Sequence, residues 1–299
     1  MPDARLRRAV HFVPGGNERM LTKALTTEAD SLVLDLEDAV AVDRKDEARD
    51  QVAGWLRDAD FGRQERVVRV NALDTPWWRA DLVATMAHPP DAYMLPKIDS
   101  QADVARFRTE IARLAADHGH PAGQVRLVVL GTETPRSALN LAKIARADGV
   151  SALSWGAEDL STAIGAQRNR DEAGVLLDVF RYCRVQTLLC AAAADVQPLD
   201  TVYVDFRDEA GFRRDSQEAV WMGFTGRLTI HPDQIPIVNE LFTPTAQHAA
   251  DALELLDAVE AARAAGRGAF ALHGKMVDAA HIGRAQAVLA RARQAGVIA

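Results

Sequence analysis

The chain alternates between short runs of apolar residues and longer stretches with helical, amphipathic periodicity. Short apolar runs bounded by Gly, Pro and polar residues predict β-strands, and nearly continuous apolar character is typical of parallel strands covered on both faces. Successive runs start about 20 to 50 residues apart, which leaves room for a crossover helix each time. We predict eight strands, at Val10–Val13, Leu32–Leu36, Val67–Val70, Ala92–Leu95, Val125–Leu130, Ser151–Trp155, Thr201–Val204 and Arg227–Ile230.

Strands that alternate with helices place the chain in the α/β class. Eight strands, with helices after the eighth as well, predict a closed (β/α)8 TIM barrel. An open doubly wound sheet is the alternative, although no G-x-G-x-x-G follows the first strand, which argues against a dinucleotide-binding version of it. We predict that residues 1–242 form the barrel and that residues 243–299 form a C-terminal helical extension.

Several helix ends are predicted from local signals. Asp43 is the expected N-cap of the helix that follows the second strand, and Pro76 is expected at an early position of the next helix. In the extension we predict two helices, from about Ala246 to Ala265, ending at Gly266 and Gly268, and from about Ala279 to Ala295.

Composition narrows the class of protein. The chain has 299 residues, of which 48% are hydrophobic, and 35 Lys and Arg against 42 Asp and Glu give a net charge of −7. Such a chain is too apolar to be disordered. Without a block of five like charges it has no electrostatic footprint for nucleic acid or an anionic membrane, so we expect neither partner.

The cellular location follows from other features. The longest strictly apolar run is far too short to span a membrane, and we expect no signal peptide. Cys183 and Cys190 are the only cysteines, which excludes a disulfide framework and fits a reducing compartment. We therefore expect a cytoplasmic protein.

Polar residues follow nearly every predicted strand, beside Gly or Pro. Strand ends are often polar because they meet solvent, and this explains one or two such endings. Eight of them favour a functional face, since a TIM barrel carries its active site at the carboxyl ends of its strands. The segments are Pro14-Gly15-Gly16-Asn17, Glu37-Asp38, Arg69-Val70-Asn71, Pro96-Lys97, Gly131-Thr132-Glu133, Gly156-Ala157-Glu158-Asp159, Asp205-Phe206-Arg207 and His231-Pro232.

Glu133 and Asp159 are the candidate metal ligands. They follow consecutive strands and would therefore lie about one strand spacing apart at the same height of the barrel. Two carboxylates without a nearby His or Cys suit Mg²⁺, which takes one or two protein carboxylates and leaves the remaining positions to water and substrate. Capping of the following helix is the alternative role for Asp159.

Arg69 interrupts an otherwise apolar strand and needs an anionic partner, either a ligand or a protein carboxylate such as Glu37 or Asp38. These two acids follow Asp35 closely, and crowded like charges raise at least one pKa, which suits proton transfer. The loop beginning at Pro14-Gly15 could hold a phosphate on free backbone N–H groups, although this pattern is usually a simple turn.

Nine stretches of the sequence resemble the citrate lyase β-subunit-like branch of the HpcH/HpaI aldolase superfamily, which also contains malyl-CoA and citramalyl-CoA lyases. Together they cover nearly the whole chain. They are FVPGGNERM, LVLDLEDAV, VVRVNALDT, MLPKI, GTETPRSALN, SWGAEDLSTAIG, DTVYVDFRDEAGF, GFTGRLTIHPDQI and GKMVDAAHIGRAQ.

The resemblance implies a TIM barrel that binds Mg²⁺, with Mn²⁺ as the alternative, through Glu133 and Asp159. It implies that Arg69 contacts the acid and thioester end of the substrate, with Glu133 also facing the substrate. In the family's pattern Glu37 and Asp38 form the acidic motif near the metal.

The resemblance also implies a coenzyme A site and a shared active site. Pro14-Gly15 and His231-Pro232 match regions that hold CoA. Asp278 matches an acid that lyases of this family deliver from the C-terminal segment of a neighbouring subunit, which implies a homotrimer or homohexamer. Relatives often carry an acid just before the GKM sequence, where this chain has His273.

The predicted activity is Mg²⁺-dependent cleavage of a 3-hydroxyacyl-CoA, such as malyl-CoA or citramalyl-CoA, to acetyl-CoA and an oxo acid (glyoxylate, pyruvate or oxaloacetate). Three alternatives stay open. The chain could be a citrate lyase β subunit that acts on a carrier-protein-bound thioester, an acyl-CoA thioesterase, or a non-catalytic protein that binds a metal and an oxo acid.

Overall fold

A closed barrel of eight parallel strands forms the centre of the protein. In the computed structural model, which describes residues 5–121, 123–264 and 270–298, neighbouring strands pair in chain order, and the last pairs with the first. The predicted TIM barrel is therefore confirmed. The strands are β1 Ala9–Pro14, β2 Ser31–Asp35, β3 Glu65–Arg69, β4 Ala92–Leu95, β5 Arg126–Gly131, β6 Val150–Trp155, β7 Gln197–Asp200 and β8 Gly226–Thr229.

Helices occupy the connections between these strands, and two of them, α6 and α7, follow β6. Between β2 and the next helix the chain also makes a single 3₁₀ turn, Val42–Arg44. The helices are α1 Glu18–Leu25, α2 Lys45–Asp58, α3 Trp78–Thr85, α4 Gln101–Asp117, α5 Pro135–Ile144, α6 Ala157–Ile164, α7 Asp178–Ala193, α8 Glu209–Met222 and α9 Gln234–Phe242.

The seventh strand differs from its prediction. Residues Gln197–Asp200 form β7, whereas Thr201–Val204 lie beyond its end. Pro198 has no N–H to donate, but its carbonyl accepts a hydrogen bond from the N–H of Thr225 at 3.0 Å. All four residues of β7 are buried, while Val202 only packs against the edge of the barrel core. The prediction was wrong because β-branched residues here serve packing rather than strand pairing.

Two helix starts also differ from their predictions. Asp43 lies inside the 3₁₀ turn, and Arg44 occupies the N-cap of α2 without a side-chain capping bond. Pro76 precedes α3, whose N-cap is Trp77. Helix α2 is held instead by Lys45, whose Nζ donates to the carbonyl oxygens of Leu36 and Glu37 at 2.7 Å each. A tertiary contact therefore replaces the local cap.

Apolar side chains fill the barrel interior, and a buried polar cluster closes its amino-terminal end. Arg7 donates to both carboxylate oxygens of Glu65 at 2.7 Å and to Oε1 of Gln197 at 2.6 Å. Ser31 Oγ donates to Glu65 as well. The apolar layer above comprises Val10, Val33, Val67, Ala92, Met94, Val128, Leu130, Ala152, Leu199 and Leu228.

Backbone contacts divide the chain into two compact units. The barrel unit comprises Arg7–Asn239, and a second unit begins at Glu240 and also contains residues 5 and 6. The elements of the second unit are α10 Ala246–Ala264, the antiparallel hairpin of β9 Phe270–Leu272 and β10 Lys275–Val277, and α11 Ala279–Gln294.

Small residues let the two helices of this second unit pack together. Ala249 and Ala252 of α10 contact Ala285, Leu289 and Ala292 of α11 in one buried cluster. The predicted helix stops at Gly266 and Gly268 lie outside the described residues. Across the part of the chain that the structure describes, no helix has the length and apolar character needed to cross a membrane.

The close approach of β8 to β1 gives a test of the fold. A Cβ atom on Gly226 would come within 1.7 Å of the carbonyl oxygen of Arg7. We expect Gly226→Ala to lower the free energy of unfolding by about 3 kcal/mol or more, since overpacking costs about 1–3 kcal/mol even where neighbours can shift. Urea denaturation measures this difference.

Gly54→Ala is the matched control. Gly54 lies within α2, and a Cβ atom there would meet nothing within 4 Å. Alanine is the better helix former, so this variant should gain about 0.5–1 kcal/mol. Equal stability of the Gly226→Ala variant and the parent protein would contradict the strand contact described here.

Candidate functional site

Charged side chains from five consecutive strand ends meet at the carboxyl end of the barrel. They come from the end of β2 and the residues after it, from the last position of β3, and from the loops after β4, β5 and β6. Parallel strands in a closed barrel present these ends to one opening, which is where TIM barrels carry their sites. The cluster, called here the mouth cluster, comprises Asp35, Glu37, Asp38, Arg69, Lys97, Glu133 and Asp159.

Arg69 points into the mouth from the last position of β3. Its Nε and Nη2 donate to the two oxygens of Asp35 at 2.7 and 2.6 Å, and Nη1 lies 2.9 Å from Glu37 Oε2. Its guanidinium also covers the ring of Phe12 at 4.8 Å. Burial disfavours the charge, but Asp35 and Glu37 outweigh it and hold the pKa of Arg69 above its ordinary value. The expected protein partner is therefore Glu37 together with Asp35, rather than Asp38.

Lys97 connects the carboxylates of the mouth cluster. Its Nζ lies 2.6 Å from Glu37 Oε1, 3.2 Å from Asp38 Oδ2 and 3.5 Å from Asp159 Oδ1. The backbone φ of Lys97 is 51°, a left-handed conformation that is uncommon outside glycine. The backbone N–H of this residue donates to Glu133 Oε2 at 2.5 Å. Sequence reasoning noted Pro96-Lys97 as a strand end and assigned it no role, although only five lysines occur in the chain.

Glu133 is the least compensated acid of the mouth cluster. It is 2% exposed, and burial, followed by repulsion from Glu37 and Asp159, raises its pKa to about 8. The N–H of Lys97 opposes that rise only in part. A Cβ atom on Gly156 would lie 2.5 Å from Glu133 Cγ, so the glycine makes room for this side chain.

The donor set of the mouth cluster fits a hard divalent cation. Glu133 and Asp159 offer carboxylate oxygens only, which is the chemistry that Mg²⁺ prefers. A divalent cation beside Glu133 would favour its ionised form, which burial disfavours. Within the residues that the structure describes, no group of three or more His, Cys, Asp and Glu side chains could hold a metal ion. A two-carboxylate site leaves room for water and substrate, as Mg²⁺ usually requires. Asp159 lies in the first turn of α6, where Gly156 is the N-cap, so Asp159 is not the helix cap.

One of the two segments expected to hold coenzyme A lines a pocket next to β1. His231 and Pro232 line a cavity of 370 Å³ between β1, α1 and the end of β8. Arg19 and Lys23, one turn apart on α1, line it as well. These two cations suit a phosphate-bearing ligand, and sequence reasoning missed them because α1 gave no signal beyond its amphipathic pattern.

Pro14 and Gly15, the other segment expected to hold coenzyme A, do not line this cavity. Pro14 lines a separate cavity of 240 Å³ next to Arg44 and Glu47. Gly15 donates its N–H to the carbonyl of Asp35 at 2.8 Å, and a Cβ atom there would lie 2.6 Å from that oxygen. Close packing of β1 against β2 therefore accounts for this glycine.

Asp278 belongs to the second unit and follows β10 directly. Its Oδ1 lies 2.7 Å from Nδ1 of His281, and its carbonyl accepts the N–H of His281 at the start of α11. The side chain is 51% exposed. His273, the residue that departs from the family pattern, lies 2.8 Å from Glu254 through its Nε2.

His11 is a buried histidine that lines the 370 Å³ cavity, and its titration is testable. Burial lowers its pKa from 6.5 to about 4, and its Nδ1 lies 3.0 Å from Thr229 Oγ1. Between these pH values the unfolded chain binds the proton and the folded protein does not, so stability falls as the pH falls. The pKa difference corresponds to about 3 kcal/mol.

Between pH 7 and pH 4, the free energy of unfolding of the parent protein should fall because of His11. We expect this fall to be about 3 kcal/mol smaller in His11→Gln. Urea denaturation across this range measures it, with His88→Gln, which removes an exposed histidine, as control. Parallel pH profiles for His11→Gln and the parent would argue against a neutral, buried His11.

Comparison with known proteins gives the family. The HpcH/HpaI aldolase/citrate lyase profile matches residues 8–232. Citrate lyase subunit beta of Leuconostoc mesenteroides subsp. cremoris is 35% identical over 290 residues, covering 97% of this chain and 94% of the relative. Mitochondrial citramalyl-CoA lyase of Rattus norvegicus is 36% identical over 294 residues, covering 95% and 85%. A (3S)-malyl-CoA thioesterase of Cereibacter sphaeroides is 36% identical over 285 residues, covering 95% and 94%.

A solved structure agrees with these relatives. CitE from Mycobacterium tuberculosis, in complex with magnesium, acetoacetate and coenzyme A, is 34% identical, with a TM-score of 0.78 over 96% of this chain and 98% of that one. The resemblance drawn from nine sequence stretches is thus confirmed over nearly the full length. The chain belongs to the HpcH/HpaI aldolase/citrate lyase family.

Proposed function

We propose that this protein is a Mg²⁺-dependent carbon–carbon lyase that cleaves a 3-hydroxyacyl-CoA to acetyl-CoA and an oxo acid. The observation that carries the proposal is the mouth cluster, in which a buried, poorly compensated Glu133 lies near Asp159 and Arg69. Relatives named as citramalyl-CoA lyase and citrate lyase subunit beta support this class of reaction.

Glu133 and Asp159 would hold Mg²⁺, or Mn²⁺ in its place. Such a cation supplies Lewis acidity, which lowers the pKa of a substrate hydroxyl group and stabilises the oxo acid that forms from it. The structure of CitE from Mycobacterium tuberculosis in complex with magnesium, acetoacetate and coenzyme A supports a site of this kind. Lys97 Nζ, 3.5 Å from Asp159, keeps the local carboxylates partly neutralised.

Proton removal from the substrate hydroxyl falls to Glu37 or Asp38, through a water molecule that either acid orients. Burial raises the pKa of Glu37 above its ordinary value, which makes its carboxylate a better base. Asp38 is more exposed, with 56% of its side chain accessible, and can exchange protons with solvent.

Cleavage of the carbon–carbon bond turns the hydroxyl carbon into the carbonyl of the oxo acid. The electron pair of that bond passes to the thioester half, which leaves as the enolate of acetyl-CoA. Arg69 would stabilise the enolate oxygen, since it projects a guanidinium into the mouth and is held rigidly by Asp35. The pocket lined by Arg19, Lys23 and His231 would hold the phosphate-bearing part of coenzyme A.

Asp278 would protonate the enolate carbon, or remove a proton from acetyl-CoA in the condensing direction. We assign this role to Asp278 of a neighbouring copy, so that residues 243–299 of one chain complete the barrel site of another. A homotrimer or homohexamer of this chain would satisfy that arrangement.

The defining experiment is acetyl-CoA release from the purified protein. Malyl-CoA and citramalyl-CoA are offered separately with Mg²⁺, and each reaction is repeated with EDTA. We expect Mg²⁺-dependent release of acetyl-CoA, with glyoxylate or pyruvate as co-product, because the mouth cluster provides both a cation site and an oxyanion partner.

Two variants make this experiment specific, one at the proposed metal site and one at an exposed acid beside it. Glu133→Gln should reduce release to the EDTA level, because one of two metal-binding carboxylates is lost. Glu158→Gln, which changes an exposed acid in the same helical turn as Asp159, should leave release unchanged. Full activity in Glu133→Gln would contradict the proposed metal site.

Two other activities have named relatives behind them. If malyl-CoA yields free CoA and malate, the protein is a thioesterase. The relative from Cereibacter sphaeroides is named (3S)-malyl-CoA thioesterase. If the protein does not cleave free CoA esters but does cleave a citryl thioester bound to a carrier protein, it is a citrate lyase β subunit. The relative from Leuconostoc mesenteroides carries that name. Saturable binding of oxo acid without turnover of any of these substrates would identify a non-catalytic binder.

Asp278→Asn separates carbon chemistry from metal binding. We expect this variant to lose about 10²–10⁴-fold in kcat for acetyl-CoA release, the usual contribution of a general acid or base. Its affinity for Mg²⁺ and pyruvate, measured by calorimetry, should be unchanged. Asp257→Asn, an exposed acid of α10 in the same unit, should keep full activity. Loss of Mg²⁺ binding in Asp278→Asn would refute this division of roles.

A further inference from the structure

Another cavity lies between the helices that surround the barrel. It is formed by residues 170–176, the first half of α7, and α8, and its volume is 420 Å³. No residue of the mouth cluster lines it. This cavity, called here the arginine pocket, is lined by Arg170, Arg181, Arg184, Arg214, Tyr203 and Trp221 among others.

Two of the lining arginines, Arg170 and Arg184, lie beside a buried acid of the wall, Asp215. Asp215 lies 3.0 Å from Arg170 Nη1 and 2.6 Å from Arg227 Nη2, and Arg184 Nη1 is 3.6 Å away. Burial alone would raise the pKa of Asp215, but these three guanidinium groups hold it well below its ordinary value. Asp215 is therefore paired with arginines of the wall. Arg184 also pairs with Glu218 at 2.8 Å.

Arg181 and Arg214 are not neutralised in this way. In the described portions of the chain, neither has a carboxylate oxygen within 4.0 Å. Nη2 of Arg181 donates to the carbonyl oxygen of Leu176 at 3.4 Å. The positive charge of Arg214 helps to lower the pKa of Asp208. Two positive charges thus line the arginine pocket without an ion-pair partner.

One buried hydrogen-bond donor of the wall also has no acceptor among the described residues. Arg184 is 3% exposed in its side chain, and its buried Nε has no hydrogen-bond acceptor among the described residues. An unmet donor beside two unpaired guanidinium groups favours an oxyanion over a cation or a neutral molecule, because guanidinium forks bind carboxylate and phosphate in bidentate fashion.

Aromatic and apolar groups complete the wall. Arg170 covers the ring of Tyr203 at 4.9 Å, and Trp221 is 78% exposed on α8. Leu176 and Met222 also line the pocket. The volume falls within the range of about 300–1,000 Å³ that small-molecule sites usually have. A ligand with an organic body as well as an anionic end matches these surroundings.

We propose that the arginine pocket is a binding site for a small organic anion, whose carboxylate or phosphate group is held by Arg181 and Arg214. Arg170 and Arg184, fixed by Asp215, form the rigid floor of the site. Tyr203 and Trp221 contact the organic part. The site is separate from the proposed catalytic site, so its existence does not depend on the lyase activity.

The test measures binding of three probes by calorimetry and by tryptophan fluorescence. Inorganic phosphate represents a bare anion, adenosine monophosphate an organic phosphate, and citrate an organic carboxylate. We expect at least one organic probe to bind the parent protein, with the affinity falling about tenfold or more in the Arg181→Gln/Arg214→Gln double variant, because charge-assisted hydrogen bonds are lost. The probe that binds best distinguishes phosphate from carboxylate.

Two further variants make the result specific. Arg213→Gln removes one charge from α8 next to Arg214 without changing the pocket lining, and it should keep the parent affinity. Glu133→Gln should keep it as well, because the probe does not occupy the mouth cluster. Both substituted arginines are exposed, and circular dichroism confirms folding of the double variant. Equal affinity of parent and double variant, absence of binding by every organic probe, or loss of binding only in Glu133→Gln would overturn the proposal.

Discussion

Pairing of β8 with β1 closes the barrel, and the remaining features of the site depend on that closure. The pairing joins Ala9 with Arg227 across most of the chain, and it requires a glycine at position 226, where the two backbones nearly touch. Once the ring is closed, the strand ends have no freedom to separate, so side chains from β2 to β6 must share one opening. Polar groups with no reason to meet in the sequence then lie within hydrogen-bond distance.

Such crowding imposes a charge balance on the mouth cluster. Asp35 is paired with Arg69, and Glu37 forms ion pairs with Arg69 and Lys97, whereas the hydrogen-bond donor to Glu133 is a backbone N–H. Buried carboxylates without a full complement of partners are costly, and functional sites are where proteins retain them. The same reasoning applies with opposite sign to the arginine pocket, where cations outnumber their carboxylate partners.

Elements with strong local patterns were predicted well, and those set by distant contacts were not. Strand β4 has the predicted bounds, because Ala92–Leu95 is apolar throughout and has turn residues on both sides. Strand β7 was misplaced, because its Gln and Pro residues carry weak strand signals and only pairing with β6 and β8 selects them. The start of α2 was misplaced for a similar reason, since Lys45 anchors it to carbonyls after β2.

The sequence by itself determined the fold class, the family, and which acids follow which strands, because these depend on periodicity and on motifs that are contiguous in the chain. It also indicated that Arg69 needs an anionic partner. Only the tertiary structure decided that this partner is chiefly Asp35, that Lys97 joins the acids of the mouth, and that Arg181 and Arg214 line one cavity with Arg170. Those contacts join residues that are distant in the chain, and side-chain geometry, burial and electric field exist only after the backbone has folded.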